Sequence, residues 1–143
     1  MDTQRIQPNT LEDIKVSVKL KLAALWTSLM FLIIYIDYFH LYMPGMIEDV
    51  LVGRVYVFDI TQGFLVAALA SVSIPALMIF LSVALPAKSN RLTNIIIAAV
   101  NIPFMLFNLE GVAWAHMVLA ALIEVILLCL IIRYAWKWPR VVS

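Results

Sequence analysis

The segment "AWAHMVLAALIEVILLCLIIRYAW" (residues 113–136) is almost entirely apolar, and its charged residues are Glu124 and Arg133. A helix of about 20 mostly apolar residues is long enough to cross the ~30 Å hydrocarbon core of a bilayer. This segment is therefore predicted to be a transmembrane helix, and it sets the fold class of the whole chain.

The composition of the complete chain supports the same assignment. Of its 143 residues, 64% are hydrophobic and 13% are charged, and the mean hydropathy is +1.00. A soluble domain is nearer 45–50% apolar and about 25% charged. We predict an all-α, integral membrane four-helix bundle that uses residues 1–143 as one domain. The predicted spans are residues 20–43, 62–85, 92–109 and 113–136, which leave no room for a soluble catalytic domain.

The basic residues are distributed asymmetrically about these spans. Nine of the ten lie before or at the start of the first span, between the second and third, or at the end of the fourth and beyond, whereas Arg54 lies on the other side. Cytoplasmic loops are enriched in Lys and Arg, so both termini are predicted to be cytoplasmic. Thr10 is a candidate N-cap, and the residues after it predict a short interfacial helix before the first span.

The first outer loop, residues 44–61, has a valine pattern that fits either an extended or an interfacial segment, and we leave both open. Tryptophans often anchor spans at the bilayer surface. Four are expected to do so here: Trp26, Trp114, Trp136 and Trp138.

Three asparagines recur one heptad apart in the third span, at Asn94, Asn101 and Asn108. On a helix, a seven-residue spacing drifts by only ~20° per repeat, so the three amides share one edge. Amides exposed to lipid lack hydrogen-bond partners, so this edge is expected to face the bundle interior or another subunit. It is either a set of interhelical hydrogen bonds or a polar path for an ion, a proton or a ligand.

Glu124 lies near the middle of the most apolar span, with no basic residue at a similar depth. An ionised carboxylate in that position is costly, and we expect the carboxyl group to be protonated at neutral pH. Asn101, at a matching depth on the adjacent antiparallel helix, is the expected hydrogen-bond acceptor. The pair is equally consistent with a functional site and with a hydrogen bond that only holds the two helices together.

A second polar cluster is predicted in the outer half. Asp37 and His40 share a face of the first helix, and Tyr38 and Tyr42 lie beside them. Glu110 and His116 are expected at the same level. Two histidines on different helices can ligate haem, and Asp, Glu and His can hold a metal. Neither helix contains a paired motif, so His40, His116 and Glu110 are weak metal candidates, and histidines bonded to water or tyrosine are the simpler interpretation.

Several motifs resemble those of a bacterial family of short four-helix membrane proteins known only as a domain of unknown function. They are "YIDYFHLYMPG" (35–45), "PALMIFLSVALP" (75–86), "NRLTNIII" (90–97) and "YAWKWP" (134–139). The resemblance implies the four-helix fold and a bacterial inner-membrane location, with no established activity. The residues that match the family pattern are Asp37, Tyr38, Tyr42, Pro44, Gly45 and Glu124, whereas His40 and His116 do not belong to it.

Three functional hypotheses follow. The first is a non-enzymatic membrane component, without a cofactor, that binds a small ligand or a partner through Asp37, Asn101 and Glu124. The second is an oligomeric proton-linked or ion transporter that uses Glu124 and the edge formed by Asn94, Asn101 and Asn108. The third is a redox subunit that binds haem or quinone through His40 and His116. The expected surroundings are the lipid bilayer and either further copies or a partner membrane protein, and nothing predicts nucleic-acid binding.

Overall fold

The structure is a computed structural model, and it describes residues 14–109 and 113–139. These residues form four long helices, one short helix and a two-stranded hairpin. In chain order the elements are α1 (Val18–His40), α2 (Met46–Leu51), β1 (Arg54–Val55), β2 (Phe58–Asp59), α3 (Gln62–Ala84), α4 (Ala87–Phe107) and α5 (Ala115–Trp136).

The four long helices confirm the predicted helical class. Each is long and apolar enough to cross a membrane. Large apolar side chains are exposed along all four, including Phe31, Phe80, Val100 and Ile126. So much exposed apolar surface suits a chain surrounded by lipid, because lipid does not penalise apolar exposure as water does.

Local capping sets where two of these helices begin. The Ser17 hydroxyl accepts a hydrogen bond from the Leu20 amide (3.3 Å), and the Thr61 hydroxyl accepts one from the Phe64 amide (3.1 Å). Both bonds satisfy amides that have no partner within the helix. Residues 14–17 are not helical, so the predicted interfacial helix is wrong over that stretch. Its predicted start at Thr10 lies outside the described residues.

Helix α1 packs against α3 and α5, and α5 also packs against α4, whereas α3 and α4 contact each other more sparingly. The shared core includes Leu22, Trp26, Leu128 and Ile131, all 0% exposed. Trp26 was predicted to anchor the chain at the bilayer surface, and its complete burial shows that this was wrong. Its indole N–H bonds inside the bundle, which removes the need for a wet interface.

The segment between α1 and α3 contains the short helix α2 followed by a hairpin, so part of it is extended. After α2, residues 54–55 and 58–59 pair as an antiparallel hairpin with Val55 opposite Phe58. Tyr56, at the hairpin turn, has a φ of +54°, a left-handed conformation that glycine usually adopts. We call this end of the bundle the hairpin end. The opposite end, with the α3–α4 connection and the last turn of α5, is the basic end.

Candidate functional site

The hairpin half of the bundle encloses a cavity of about 450 Å³, lined by α1, α3, α4, α5 and the hairpin. Its volume lies within the roughly 300–1,000 Å³ typical of small-molecule sites. Most of the lining is apolar or aromatic. The main polar groups on its wall are Asp37, Tyr56, Ser71, Asn101, Asn108 and Glu124. Residues far apart in the sequence therefore meet at one site.

The acidic and amide side chains of the cavity come from three helices, α1, α4 and α5, and they differ in how deeply they are buried. Asp37 lies in the last turn of α1, and Glu124 lies on α5, where it is 5% exposed. Asn101 of α4 is 9% exposed. Asn108 was predicted to share one edge with Asn94 and Asn101, facing the bundle or another subunit; it lines the cavity but is more exposed than the other two. The reason is that α4 ends at Phe107, so Asn108 caps the helix instead of continuing its inner edge.

The predicted hydrogen bond between Asn101 and Glu124 is not found among the described residues. The Asn101 Nδ2 donates to the Ile97 carbonyl oxygen one turn earlier (2.8 Å). That bond uses the N–H side of the amide, so the Asn101 Oδ1, which was the expected acceptor, is not engaged by it. Asn101 and Glu124 instead both line the cavity, where their polar groups are available to a third molecule.

An aromatic cap, formed by Tyr56, Phe58 and Phe64, lines the cavity at the hairpin end. The Tyr56 hydroxyl is hydrogen-bonded to the imidazole of His40, and the two rings meet edge to face with centroids 4.9 Å apart. Phe58 of β2 stacks on Phe64 of α3 at 5.9 Å. Burial and then the charge of Asp37 raise the pKa of Tyr56 above its usual value. The phenol therefore stays protonated and available as a hydrogen-bond donor.

The two tyrosines predicted for the site lie outside the cavity. Tyr38 and Tyr42 are exposed, and their hydroxyl groups are hydrogen-bonded to each other. That bond is the main reason why the pKa of Tyr42 is raised. The pair, with Phe39 beside it, forms an exposed aromatic surface on the end of α1.

The candidate metal ligands do not converge within the described part of the chain. No group of three or more His, Cys, Asp or Glu side chains there is arranged to hold a metal ion. His116 packs edge-on against Trp114, and its buried Nε2 has no hydrogen-bond partner among the described residues. Glu110, the third candidate, lies outside those residues.

Asn94 lies deeper, in a hydrogen-bond network toward the basic end. Its Oδ1 accepts hydrogen bonds from the indole N–H of Trp26 (2.7 Å) and the hydroxyl of Ser82 (3.2 Å). Its Nδ2 donates to the carbonyl oxygen (2.9 Å) and Oδ1 (2.7 Å) of Asn90. The Asn90 Nδ2 in turn donates to the carbonyl oxygens of Ser82 (2.6 Å) and Leu85 (3.3 Å). The network joins α1, α3 and α4, and all four side chains in it are fully buried.

Sequence reasoning missed Asn90, Ser82 and the role of Trp26 in this network. The available signal was the four-residue spacing of Asn90 and Asn94, which places both amides on one face. Tyr56 of the cavity was also missed, because the hairpin that positions it has no strong sequence signature.

A family model described as "Family of unknown function (DUF6326)" matches residues 13–142. The match confirms the resemblance to a family of unknown function. Comparisons with curated proteins and with solved structures gave no match.

Proposed function

The chain belongs to a family of unknown function (DUF6326), and from its cavity we propose that it is a membrane protein that binds a small ligand. The observation on which this proposal depends is the convergence of Asp37, Asn101 and Glu124 on one cavity of about 450 Å³. The activity proposed is non-enzymatic binding.

The chemistry of the wall favours a ligand that is a cation or a hydrogen-bond donor. Asp37 and Glu124 supply carboxyl oxygens, and neither lysine nor arginine is among the described residues that line the cavity. An anion would meet repulsion there without compensation. Phe58, Phe64 and Phe104 provide ring surfaces for an apolar body and for cation–π contact. We therefore propose an amphiphilic amine as the ligand class.

The proposal includes a location in the bacterial inner membrane with cytoplasmic termini. Its support is the distribution of the ten basic residues, nine of which fall on the predicted cytoplasmic side. The bilayer is the proposed surroundings, and a further copy or a partner membrane protein is the proposed neighbour.

The test uses three small molecules with the same aromatic body and different charge: phenethylamine, 2-phenylethanol and 3-phenylpropionate. Purified protein in detergent is heated with each one. We expect phenethylamine to raise the melting temperature by about 3–6 °C at ten times its Kd, because a ligand that binds the folded state stabilises it. The propionate should give no shift.

The variants Asp37→Asn and Glu124→Gln should each weaken the effect of phenethylamine about tenfold, because each removes a carboxyl group that can pair with the bound ammonium in its ionised form. Glu48→Gln, an exposed acidic residue of α2 outside the cavity, is the matched control and should behave as wild type. Equal shifts by amine and propionate, or no effect of either cavity variant, would overturn the proposal.

Transport is the second candidate, favoured because two carboxyl-bearing residues face one cavity above the buried asparagines of α4. It requires the packed network around Asn94 to open, because all four hydrogen-bonding positions of that amide are already used. Proton flux into proteoliposomes that exceeds empty vesicles and disappears in Glu124→Gln would favour transport over simple binding. A Soret band in the purified protein would favour the haem hypothesis with His40 and His116.

A further inference from the structure

A second cavity lies at the basic end, outside the site described above. It is a groove of about 510 Å³ between the first turns of α4 and the last turn of α5. Its wall is formed by Ala87, Lys88, Arg91, Leu92, Ile95, Trp136, Trp138 and Pro139. Both of its charged residues are basic, and the remaining lining is apolar or aromatic.

The Arg91 side chain packs against an aromatic ring of the groove and has a buried N–H without a hydrogen-bond partner in the described part of the chain. Its guanidinium group lies over the ring of Trp136, 5.4 Å from the centroid. Its Nε is buried and has no hydrogen-bond partner among the described residues. A guanidinium group has five N–H donors, and a buried donor without an acceptor is costly. The position therefore favours an acceptor brought by another molecule, and the planar fork of arginine suits phosphate oxygens.

Lys88 adds a second positive charge one turn before Arg91. Lys88 is exposed, and it forms no ion pair within the described residues, where Arg54 and Asp49 form the salt bridge. Two other basic side chains of this end are engaged elsewhere: Lys19 donates to the Val83 carbonyl oxygen (3.0 Å), and Lys21 lies over the Tyr134 ring. Lys88 and Arg91 are the basic side chains that line the groove, where apolar walls lie beside their charges.

The apolar half of the groove runs from the basic residues toward the middle of α4. Lys88 and Ile95 are separated by about 10 Å along the helix, at a rise of 1.5 Å per residue. Leu92 and Ile95 therefore lie deeper than the charges, and Trp136 is 65% exposed beside them. A site with cations at the membrane surface and apolar walls below matches an amphiphile oriented like a lipid.

We infer that this groove binds one anionic phospholipid. The headgroup phosphate lies between Lys88 and Arg91, and the upper part of an acyl chain lies along Leu92, Ile95 and Trp136. Basic pockets between transmembrane helices bind anionic headgroups through this combination of charge and burial.

The experiment titrates the full-length protein in detergent with dioctanoyl phosphatidylglycerol or dioctanoyl phosphatidylcholine and counts bound lipid by native mass spectrometry. We expect preferential retention of phosphatidylglycerol. The double variant Lys88→Gln/Arg91→Gln should weaken this retention by about tenfold or more, since each basic residue near a membrane surface contributes on the order of 1 kcal/mol. Lys88→Gln alone should give a partial loss, and its exposed position makes it safe for folding.

The matched control is Arg133→Gln/Lys137→Gln, which removes the same charge from exposed positions at the same end, outside the groove. It should retain the lipid. Equal loss in the control, no preference between the two lipids, or saturation by inorganic phosphate at the concentration at which lipid saturates would each overturn the proposal. Lipid retention that appears only after deletion of residues 140–143 would do so too, because the chain's own end would then be the occupant.

Discussion

The side-chain amide of Asn94 uses all four of its hydrogen-bonding positions inside the bundle, with Trp26, Ser82 and Asn90 as partners. An amide can donate twice and accept twice, so nothing is left for an ion or a ligand. Asn101, one heptad later on the same edge, faces a cavity instead. Identical residues at identical spacing therefore have different environments.

Asn94→Ala should lower the free energy of unfolding by about 1–3 kcal/mol, because it leaves the buried Trp26 N–H and Asn90 groups without partners. The measurement is unfolding of the purified protein by increasing mole fractions of dodecyl sulfate. Asn108→Ala is the matched control: the same substitution at an exposed position should cost less than about 0.5 kcal/mol. Equal losses would contradict the assignment of Asn94 to a structural network.

Glu124 should show opposite effects on stability and on binding. Glu124→Leu removes a polar group from the bundle interior, and we expect the free energy of unfolding to rise by about 1–2 kcal/mol. The same variant should lose the melting shift produced by phenethylamine. Glu124→Gln, which keeps the shape of the side chain, should reduce the shift through its about tenfold weaker binding, with a free energy of unfolding near wild type. A less stable Leu variant that still binds the amine would contradict a ligand-binding carboxyl group.

At the scale of elements, the hairpin positions a strained residue over the cavity. Tyr56 has a left-handed backbone conformation, which costs a residue with a side chain roughly 1–2 kcal/mol. Such strain persists where surrounding contacts hold it in place, and here the ring packs on His40 and lines the cavity. The strained backbone of Tyr56 thus lowers the stability of the hairpin locally, but it holds the Tyr56 ring on the cavity wall.

Tyr56→Gly should therefore leave the melting temperature of the ligand-free protein unchanged or higher, because glycine adopts this φ without strain. Binding of phenethylamine should weaken by about tenfold in a titration followed by melting temperature, since the aromatic cap is lost. Val57→Gly changes the adjacent turn residue, which is 87% exposed and does not line the cavity, and should bind as wild type. Equal weakening by both would mean that hairpin stiffness matters, not the Tyr56 ring.

The bounds of the helices could be predicted from the sequence where the helix coincides with a long apolar segment. The first and fourth spans were predicted as 20–43 and 113–136, against Val18–His40 and Ala115–Trp136 in the structure. The third was predicted to begin at residue 92, but α4 begins at Ala87. Hydropathy does not detect this first turn and a half because Lys88, Asn90 and Arg91 are polar. The amide of Asn90 is used to satisfy carbonyl groups at the end of α3.

At the scale of the whole molecule, the proposed orientation in the membrane rests on the distribution of basic residues and is open to a direct test. In a Cys129→Ser background, Val57→Cys marks the hairpin end and Ser89→Cys the basic end. We expect a membrane-impermeant maleimide to label Val57→Cys in intact cells and Ser89→Cys only after lysis, because the basic end should be cytoplasmic. The reverse pattern would invert the topology, and labelling of both in intact cells would indicate mixed orientation.

The members of the candidate site were predicted more completely than their arrangement. Asn101 and Glu124 were expected from the cost of polar groups in lipid, and Asp37 from its place beside His40 and the tyrosines of α1. All three line one cavity. The expected Asn101–Glu124 bond is absent among the described residues, where the Asn101 Nδ2 donates to the Ile97 carbonyl oxygen of its own helix. Tyr56 was missed because its place depends on a turn geometry that residue spacing does not encode. The free-energy cost of an unpaired polar group in lipid identifies which residues need a hydrogen-bond partner. Which partner each one finds depends on how the helices pack.

The two amide hydrogen bonds of Asn90 reach back only 8 and 5 residues along the chain, whereas the bond from Trp26 to Asn94 joins residues 68 apart. Contacts between near neighbours require little loop closure and form early. During membrane insertion, we therefore expect the Asn90 hydrogen bonds at the turn between α3 and α4 to form first. The hydrogen bond from the Trp26 indole of α1 to Asn94 should form later, after α3 and α4 have paired.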